Sequence, residues 1–413
     1  MTFTVCRMQP YLTEAHERLR ARIREFGEAE IAPVAAELDR ESRFPWRNVR
    51  VMADMGLFGV NVPERYGGMG LDYLSYILTV EELARFDVSH SITVSAHSTL
   101  ATSPIVNFGS EEQKQRYVPL LARGRVLGGF GLTEPSAGSD AGATSTNAVR
   151  ANGGYRLNGR KIFITHAGVG EIFVVTAVTD RDRKAHGITS FIVTKETVDR
   201  QAADEVGVGH APELEPFTPG VRAGKKEDKM GWRASDTREL LLDNAEVPAE
   251  NRLGAEGEGF INFMKTLDAG RIGVAALSLG LAQGAFDQVL DYAGTHERAG
   301  TKLFEHQGVQ FSVADMATEI QAARHLVYHA AWLKENDQPY ARAASMAKLF
   351  ASELAMRLST NAVQLLGVDG YRADFPVERM LRDAKIGEIG EGTSEVQRIV
   401  IARSFFRGAA PDA

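Results

Sequence analysis

The spacing of apolar residues changes twice along this chain of 413 residues. In the first region apolar side chains recur every three to four positions, which predicts amphipathic helices. Short β-branched and aromatic runs replace this pattern in the middle region, with no helical stretch between them, and long helical patterns return afterwards. We therefore expect an α+β protein with an α-helical domain at 1–127, a β domain at 128–247 and an α-helical bundle at 248–413.

The middle region is predicted to be mostly antiparallel. Asn152-Gly153-Gly154 separates two short runs at 149–151 and 155–157, and Asn-Gly supplies the positive φ that a tight β-hairpin needs. Further strands are expected near 162–164, 173–178 and 188–193. Strands at this spacing, without helical crossovers, favour an antiparallel sheet or a small barrel.

A stretch from about Thr197 to Phe217 interrupts these strands. It is rich in Ala, Pro and Gly, and its five acidic residues and one arginine give it −4 of the chain's formal net charge of −7. This composition is typical of a surface loop.

The composition also excludes several classes of protein. The single cysteine, Cys6, can form neither an internal disulfide nor a cysteine-based zinc site, so the expected compartment is a reducing cytoplasm. An acidic chain lacks the basic surface of a nucleic-acid binder. The N-terminus lacks a signal-peptide pattern. The most apolar stretch, Ile272 to Phe286, is shorter than the roughly 20 residues that span a bilayer, so no membrane span is expected.

Two segments are candidates for chemistry. The segment from Gly131 to Asp140 combines small and hydroxyl-bearing residues around a proline, so its backbone N–H groups could face a ligand, although composition alone favours a plain inter-domain loop. Glu391 lies between Gly390 and Gly392, so a buried carboxylate there could act as a base. A solvated loop glutamate is the alternative interpretation.

Other familiar site patterns are weak or missing. His325 and His329 lie four apart on a predicted helix but lack a third ligand, so no metal is expected. No G-x-G-x-x-G follows a strand, and no G-x-S-x-G is present, which argues against a Rossmann nucleotide site and an α/β-hydrolase.

Six separated segments resemble the acyl-CoA dehydrogenase family, and among its branches the short-chain acyl-CoA dehydrogenases. Together they cover nearly the whole chain, and their agreement is specific where one alone would be weak. They are GLTEPSAGSDAGA (131–143), NGRKIFITHAG (158–168), GKKEDKMGWRASDT (224–237), LDAGRIGVA (267–275), QLLGVDGY (364–371) and EGTSEVQRIVIAR (391–403).

The resemblance implies an architecture and an activity. The family has an N-terminal α-helical domain, a middle β domain and a C-terminal four-helix bundle, usually as a homotetramer with FAD. Its members dehydrogenate the α,β bond of acyl-CoA thioesters in fatty acid or amino acid catabolism and pass electrons to an electron-transferring flavoprotein. By this resemblance Glu391 abstracts the α-proton while the β-hydride passes to flavin N5. The position that carries the base in some members is Gly270.

The resemblance also implies binding residues. Those that would contact FAD, some of them in a neighbouring subunit's site, are Phe130, Leu132, Thr133, Ser139, Phe163, Thr165, His296, Gln307, Gln364, Leu365, Gly367, Val368, Thr393 and Glu395. Those that would lie near the acyl-CoA are Ser139, Asp268, Arg271, Gly390 and Gly392.

Departures from the family pattern concern the cofactor. His296 stands where the family usually has an arginine that meets the FAD pyrophosphate, and a neutral histidine lacks the permanent charge and the bidentate fork. Arg298 is expected to point elsewhere on a helix. Ala299 replaces a phenylalanine, and Val368 adds a side chain where a glycine usually lets the backbone approach the dinucleotide.

Two further departures concern the substrate. Gly390 replaces a common tyrosine, which predicts a wider pocket for a short, branched or cyclic acyl group; the alternative is that a neighbour fills the gap. The acidic 197–217 insertion would repel the phosphates of CoA, so we expect it to project away from the entrance.

Two other functions stay open at this stage. One is an enzyme of the same fold that acts on a carrier-protein-bound or otherwise unusual thioester in biosynthesis. The other is a flavin-poor, non-catalytic homologue, which the substitutions at His296 and Val368 would permit.

Overall fold

A computed structural model describes residues 11–208 and 211–406, so Cys6 lies outside the described residues. The N-terminal part is helical, as predicted, and one π-helical turn at Gly27–Ile31 joins its first two helices. Thr13 begins the first helix with a capping box to His16. The helices are α1 (Glu14–Phe26), α2 (Ala32–Glu41), α3 (Trp46–Asp54), α4 (Tyr73–Ala84), α5 (Val88–Ala96), α6 (Ser103–Phe108) and α7 (Glu111–Ala122).

The middle part forms one eight-stranded sheet with the order β6-β7-β3-β2-β4-β5-β8, and β1 pairs with β4. The predicted hairpin is confirmed, because Asn152 and Gly153 both adopt positive φ between β2 and β3. Most pairs are antiparallel, but β1 and β2 each run parallel to β4. The strands are β1 (Gly128–Gly131), β2 (Asn147–Ala151), β3 (Gly154–Thr165), β4 (Ile172–Val178), β5 (Ile188–Thr194), β6 (Val221–Lys226), β7 (Thr237–Pro248) and β8 (Arg252–Leu253).

The prediction of a plain surface loop at 197–217 is wrong. Arg200–Val206 forms a helix, α8, which ends at Gly207 in the left-handed conformation. Its Ala203 is fully buried in the core cluster that contains the N-terminal helices. The segment Gln-Ala-Ala-Asp-Glu has adequate helix propensity and Gly207 is a suitable stop, which the overall acidic composition concealed.

The C-terminal part is a bundle around α9 (Gly259–Thr295), as the helical spacing predicted. This helix is long and apolar enough to cross a membrane, yet 78% of its most apolar window is buried inside the protein, as in the core helix of a bundle. Ile272 to Phe286 lies within it and packs among other helices. The remaining helices are α10 (Gln307–Glu335), α11 (Ala341–Leu366), α12 (Pro376–Ala384) and α13 (Ser394–Phe406).

A short hairpin follows α9, and it corrects one prediction. The strands β9 (Glu297–Arg298) and β10 (Thr301–Lys302) pair across Ala299 and Gly300, both with positive φ. Arg298 therefore lies on a hairpin and not on a helix, and the helical argument about its direction was wrong. The hairpin forms because two consecutive positive-φ positions make a tight two-residue turn.

Candidate active site

Glu391 lies in the short connection between α12 and α13. The Gly390 N–H donates to Ile386 O at 2.8 Å, and Thr393 Oγ1 accepts from Val396 N at 3.3 Å at the start of α13. Between these anchors Glu391 has a φ of 51°, a left-handed conformation that is uncommon for a residue with a side chain. Backbone strain of this kind concentrates at functional sites.

The Glu391 carboxylate points at α9. A Cβ atom on Gly270 would lie 2.1 Å from Glu391 Oε2 and 3.3 Å from Leu100 Cδ2, so only glycine leaves room for the carboxylate there. Glu391 is partly exposed as a residue, but its Oε2 is buried and has no hydrogen-bond partner among the described residues. Burial raises the pKa of Glu391 to about 7, against the opposing charges of Lys348 and Arg271.

Two tyrosines of α4 stand beside this carboxylate. Both are buried; the Tyr73 hydroxyl donates to Ala269 O at 3.0 Å and the Tyr76 hydroxyl donates to Ser95 Oγ at 3.2 Å. One turn beyond Gly270 on α9, a Cβ on Gly273 would lie 2.7 Å from Ser95 Oγ and 3.0 Å from the Tyr76 hydroxyl. The helices α4, α5 and α9 therefore pack closely at Gly273.

The residues predicted to lie near the substrate differ in their burial. Arg271 is buried and pairs with Asp268 at 2.6 Å, while its Nε has no partner among the described residues. A Cβ on Gly390 would meet only Ile386, at 3.4 Å and beyond, so this position borders open space. Ser139 is exposed, on the loop that follows β1.

The predicted flavin residues at the start of the sheet come together across β1 and β3. The Ile162 N–H donates to Thr133 O at 2.8 Å, and a bulge in β3 gives Phe163 a φ of 56° and leaves its ring 61% exposed. Thr165, two residues further on, is half-buried. An exposed aromatic ring beside backbone groups is a surface on which a planar cofactor can stack.

Phe130 connects this region to Glu391. Its ring stacks on Phe263 of α9 with ring centroids 5.0 Å apart. Phe263 precedes Gly270 by seven residues, which is two turns or about 10 Å along one face of the helix. The end of β1, where the 131–143 segment begins, and the Glu391 carboxylate therefore lie along the same part of α9.

Sequence reasoning missed the ion pair that holds the start of the 131–143 segment in place. Lys161 is fully buried, and its Nζ lies 2.8 Å from Glu134 Oε1 and 3.1 Å from Leu132 O. Burial would raise the pKa of Glu134, but the Lys161 charge and hydrogen bonds from Ser145 and Thr144 bring it well below the usual range. The available signal was a lysine directly before the apolar run Ile162-Phe163-Ile164.

Most of the remaining residues that were predicted to contact the cofactor lie at the far end of the bundle from Glu391. Thr295, at the end of α9, is 25 residues from Gly270, or about 38 Å along the helix, so a single chain does not bring that end of the bundle to Glu391. The residues at that end are His296, Gln307, Gln364, Leu365, Gly367 and Val368. Thr393 and Glu395, by contrast, follow Glu391 directly.

Near the end of α9, Arg298 and not His296 points toward the 364–368 segment. The His296 ring stacks on Tyr292 with centroids 3.6 Å apart, and its Nδ1 lies 3.1 Å from Tyr292 O. A Cβ on Gly367 would lie 3.0 Å from Arg298 Nη2. Val368 is 72% exposed and obstructs nothing within the chain.

Comparison with known protein families identifies the class that this fold and site define. The N-terminal, middle and C-terminal domains of acyl-CoA dehydrogenase match residues 13–125, 129–245 and 257–406. The chain belongs to the acyl-CoA dehydrogenase family and is an FAD-dependent oxidoreductase, which confirms the family and fold predicted from the six segments.

Three individual proteins are similar to this chain over nearly its whole length. The chain is 46% identical to the short-chain specific acyl-CoA dehydrogenase of Clostridium acetobutylicum over 396 residues, covering 96% of this chain and 99% of that one. Butyryl-CoA dehydrogenase from Megasphaera elsdenii has a similar structure, with a TM-score of 0.89, 42% identity, and 96% and 99% of the two chains covered. A chain in the structure of the electron transferring flavoprotein of Acidaminococcus fermentans gives a TM-score of 0.90 at 46% identity, covering 98% of this chain and 100% of that one.

Proposed function

We propose that this protein oxidises the Cα–Cβ bond of a short acyl-CoA thioester, with Glu391 as the base that removes the α-proton. The observation that carries this proposal is the buried Glu391 Oε2, which has no hydrogen-bond partner among the described residues and occupies the space that the missing side chain of Gly270 leaves. A carboxylate without internal partners is available to a substrate proton.

The electrostatics of Glu391 suit a base that works near neutral pH. Its pKa of about 7 lets it be ionised before reaction and still hold the proton that it accepts. Arg271 and Lys348 supply positive charge nearby, which favours the ionised form. No other carboxylate is predicted at this position, because the alternative family position is Gly270.

The residues present fit FAD, which we propose as the cofactor. Phe163 and Thr165 would flank the isoalloxazine ring, and Leu132 and Thr133 would offer backbone groups to it, because the buried Lys161 holds that segment against β3. When bound, FAD would supply the acceptor for the hydride that leaves the substrate β-carbon. The product is the α,β-unsaturated thioester, and an electron-transferring flavoprotein would reoxidise the enzyme.

The surroundings of Gly273 and Gly390 support a short but wide acyl group. Tyr76 and Ser95 meet α9 at Gly273, which limits the length of the acyl chain. Gly390 borders open space where a larger side chain would form a wall. We therefore propose a short acyl group that is branched or cyclic near the thioester.

The oligomer we propose is a homotetramer built on the bundle. Its helices and connections expose large apolar side chains, which contacts between subunits would cover. They include Phe311, Trp332, Tyr371, Phe405 and Phe406. A neighbouring subunit would also bring the His296 end of one bundle to the cofactor of another.

One experiment tests these proposals together. The purified protein, loaded with FAD, is mixed anaerobically with a panel of butyryl, isobutyryl, cyclic and long-chain CoA thioesters, and loss of the yellow absorbance is followed. We expect rapid bleaching with short branched or cyclic thioesters and none in a Glu391→Gln variant.

Other outcomes would contradict separate parts of the proposal. Absence of bleaching with every CoA thioester would refute the activity, whereas strict preference for butyryl-CoA would refute only the proposed shape. Bleaching by a carrier-protein-bound thioester alone would show that CoA is not the carrier. Full bleaching in the Glu391→Gln variant would show that another group is the base.

A further inference from the structure

We propose that Lys348 is a positioning residue that holds the backbone at Glu391 and Gly392 and keeps the Glu391 carboxylate ionised. This inference rests on the proposed role of Glu391. Lys348 lies on α11 and is fully buried. The hydrogen bond that the structure records for its Nζ goes to Gly392 O, at 2.8 Å.

The contact with Gly392 fixes the backbone of the base. Glu391 and Gly392 have φ values of 51° and 92°, so two consecutive residues are held in the left-handed region. The Lys348 Nζ donates to the carbonyl at the end of this pair, and Gln397 Nε2 donates to the same oxygen at 2.9 Å. Two donors on one carbonyl hold the turn from α11 and α13 at once.

The hydrogen bond alone does not explain a lysine at this position. Gln397 already satisfies Gly392 O, and burying an ammonium group costs more than burying an apolar side chain of similar volume. A nearby negative charge would offset that cost. Burial lowers the pKa of Lys348 to about 8, and Glu391 is the neighbouring charge that opposes this most strongly by favouring the protonated lysine.

Several titratable groups surround the carboxylate, and they differ in what they can do. Tyr73 and Tyr76 face it from α4, but burial raises the pKa of each, so both stay neutral. Arg271 faces it from α9 and is paired with Asp268. Lys348 faces it from α11. Glu388 and Glu353 also act on Lys348, but their salt bridges are to Lys385 and Arg398. Lys348 is therefore the cation whose removal changes the field at Glu391 most.

The test removes the charge and keeps the rest of the site. In Lys348→Met the carboxylate loses a neighbouring cation, so its pKa should rise by about one unit. If the wild-type value is about 7, the ionised fraction at pH 7 then falls about fivefold. We expect the midpoint of the acidic limb, in the pH profile for anaerobic flavin bleaching, to move to a pH about one unit higher. The bleaching rate should recover at high pH. Lys348→Arg should restore the wild-type profile.

A matched control separates this effect from the loss of a buried lysine in general. Lys229 is half-buried, donates to the carbonyl of Ser235 at 2.8 Å and has a pKa lowered by burial to about 8. Lys229→Met should lower the melting temperature without moving the pH profile. If Lys348→Met does not fold, Lys348→Gln removes the charge and keeps a donor for Gly392 O.

A second measurement needs no turnover. The melting temperatures of chains with and without Glu391→Gln are compared across pH, in the wild-type and Lys348→Met backgrounds. The pH at which the difference stops growing reports the pKa of Glu391 in the folded protein, and we expect it to lie about one unit higher in the Lys348→Met background.

The outcomes distinguish this inference from the proposed function. If no thioester bleaches the wild type, the proposed function fails, while the melting comparison still tests the coupling of Lys348 to Glu391. An unchanged pH midpoint in both measurements would overturn the inference even if the enzyme is active. An equal shift in Lys229→Met would overturn it as well.

Discussion

Replacing Glu391 with glutamine is expected to make the protein more stable, and only above the acidic range. The native fold raises the pKa of this carboxyl from 4.5 to about 7, because burial disfavours the charged form more than Lys348 and Arg271 favour it. An unfolded chain has no such penalty. The folded protein is therefore destabilised whenever the carboxylate must be ionised, and the glutamine amide removes that cost.

The sign and size follow from proton linkage. Below pH 4.5 both states hold the proton and the substitution changes little. Between pH 4.5 and about 7 the unfolded chain loses its proton first, so the wild type loses stability; above pH 7 the loss is complete. A difference of about 2.5 pKa units corresponds to about 3 kcal/mol at 1.36 kcal/mol per unit. For a cooperative unit of this length that is a rise of about 3 °C in melting temperature.

The assay compares melting temperatures at pH 5 and pH 8.5 in excess FAD, so that loss of cofactor does not contribute. We expect the Glu391→Gln difference to be small at pH 5 and near its full size at pH 8.5. Glu246→Gln, on the exposed side of β7, is the control, and it should leave the melting temperature unchanged at both pH values. A Glu391→Gln effect of the same size at both pH values, or a lower melting temperature at pH 8.5, would refute the claim that burial of this charge strains the fold.

Gly270→Ala places a methyl group 2.1 Å from Glu391 Oε2, so it should displace the carboxylate and lower kcat by about a hundredfold. The melting temperature should change little, because the displaced group is a flexible side chain; an unchanged kcat would contradict the geometry. Lys161→Met leaves a buried carboxylate unpaired, which should cost about 3–5 kcal/mol in chemical unfolding. A cost below about 1 kcal/mol would show that the pair is solvated. Arg298→Ala should lower the fraction of chains that retain FAD after dialysis more than His296→Ala does, and the reverse order would restore His296 as the cofactor contact.

The elements that the sequence predicted best are those whose signal is local. The hairpin at Asn152-Gly153 depends on two residues that tolerate positive φ, and the bundle helices depend on apolar residues three and four apart. The Glu391 segment was predicted for the same kind of reason, since two glycines around one carboxylate are visible in the printed sequence.

The elements that were missed depend on contacts between distant segments. Composition predicted a surface loop around α8, because buried positions such as Ala203 count the same as exposed ones in a composition. The predicted direction of the Arg298 side chain was wrong because α9 ends at Thr295, one residue before His296. Only the hairpin beyond it turns the guanidinium toward Gly367.

The raised pKa of Glu391 shows why a local motif predicts where a site lies more readily than how reactive its residues are. The local sequence places a carboxylate on a turn, but a carboxylate on a turn is ordinarily solvated and weakly basic. Gly270, from α9, provides the space in which Oε2 is buried. Lys348, from α11, donates to Gly392 O and places a positive charge near the carboxylate. Neither residue is unusual in its own segment, since glycine occurs throughout α9 and one lysine in a helix is ordinary. The basicity of Glu391 is therefore a property of how α9 and α11 pack, and a change at either helix should alter it without touching the motif.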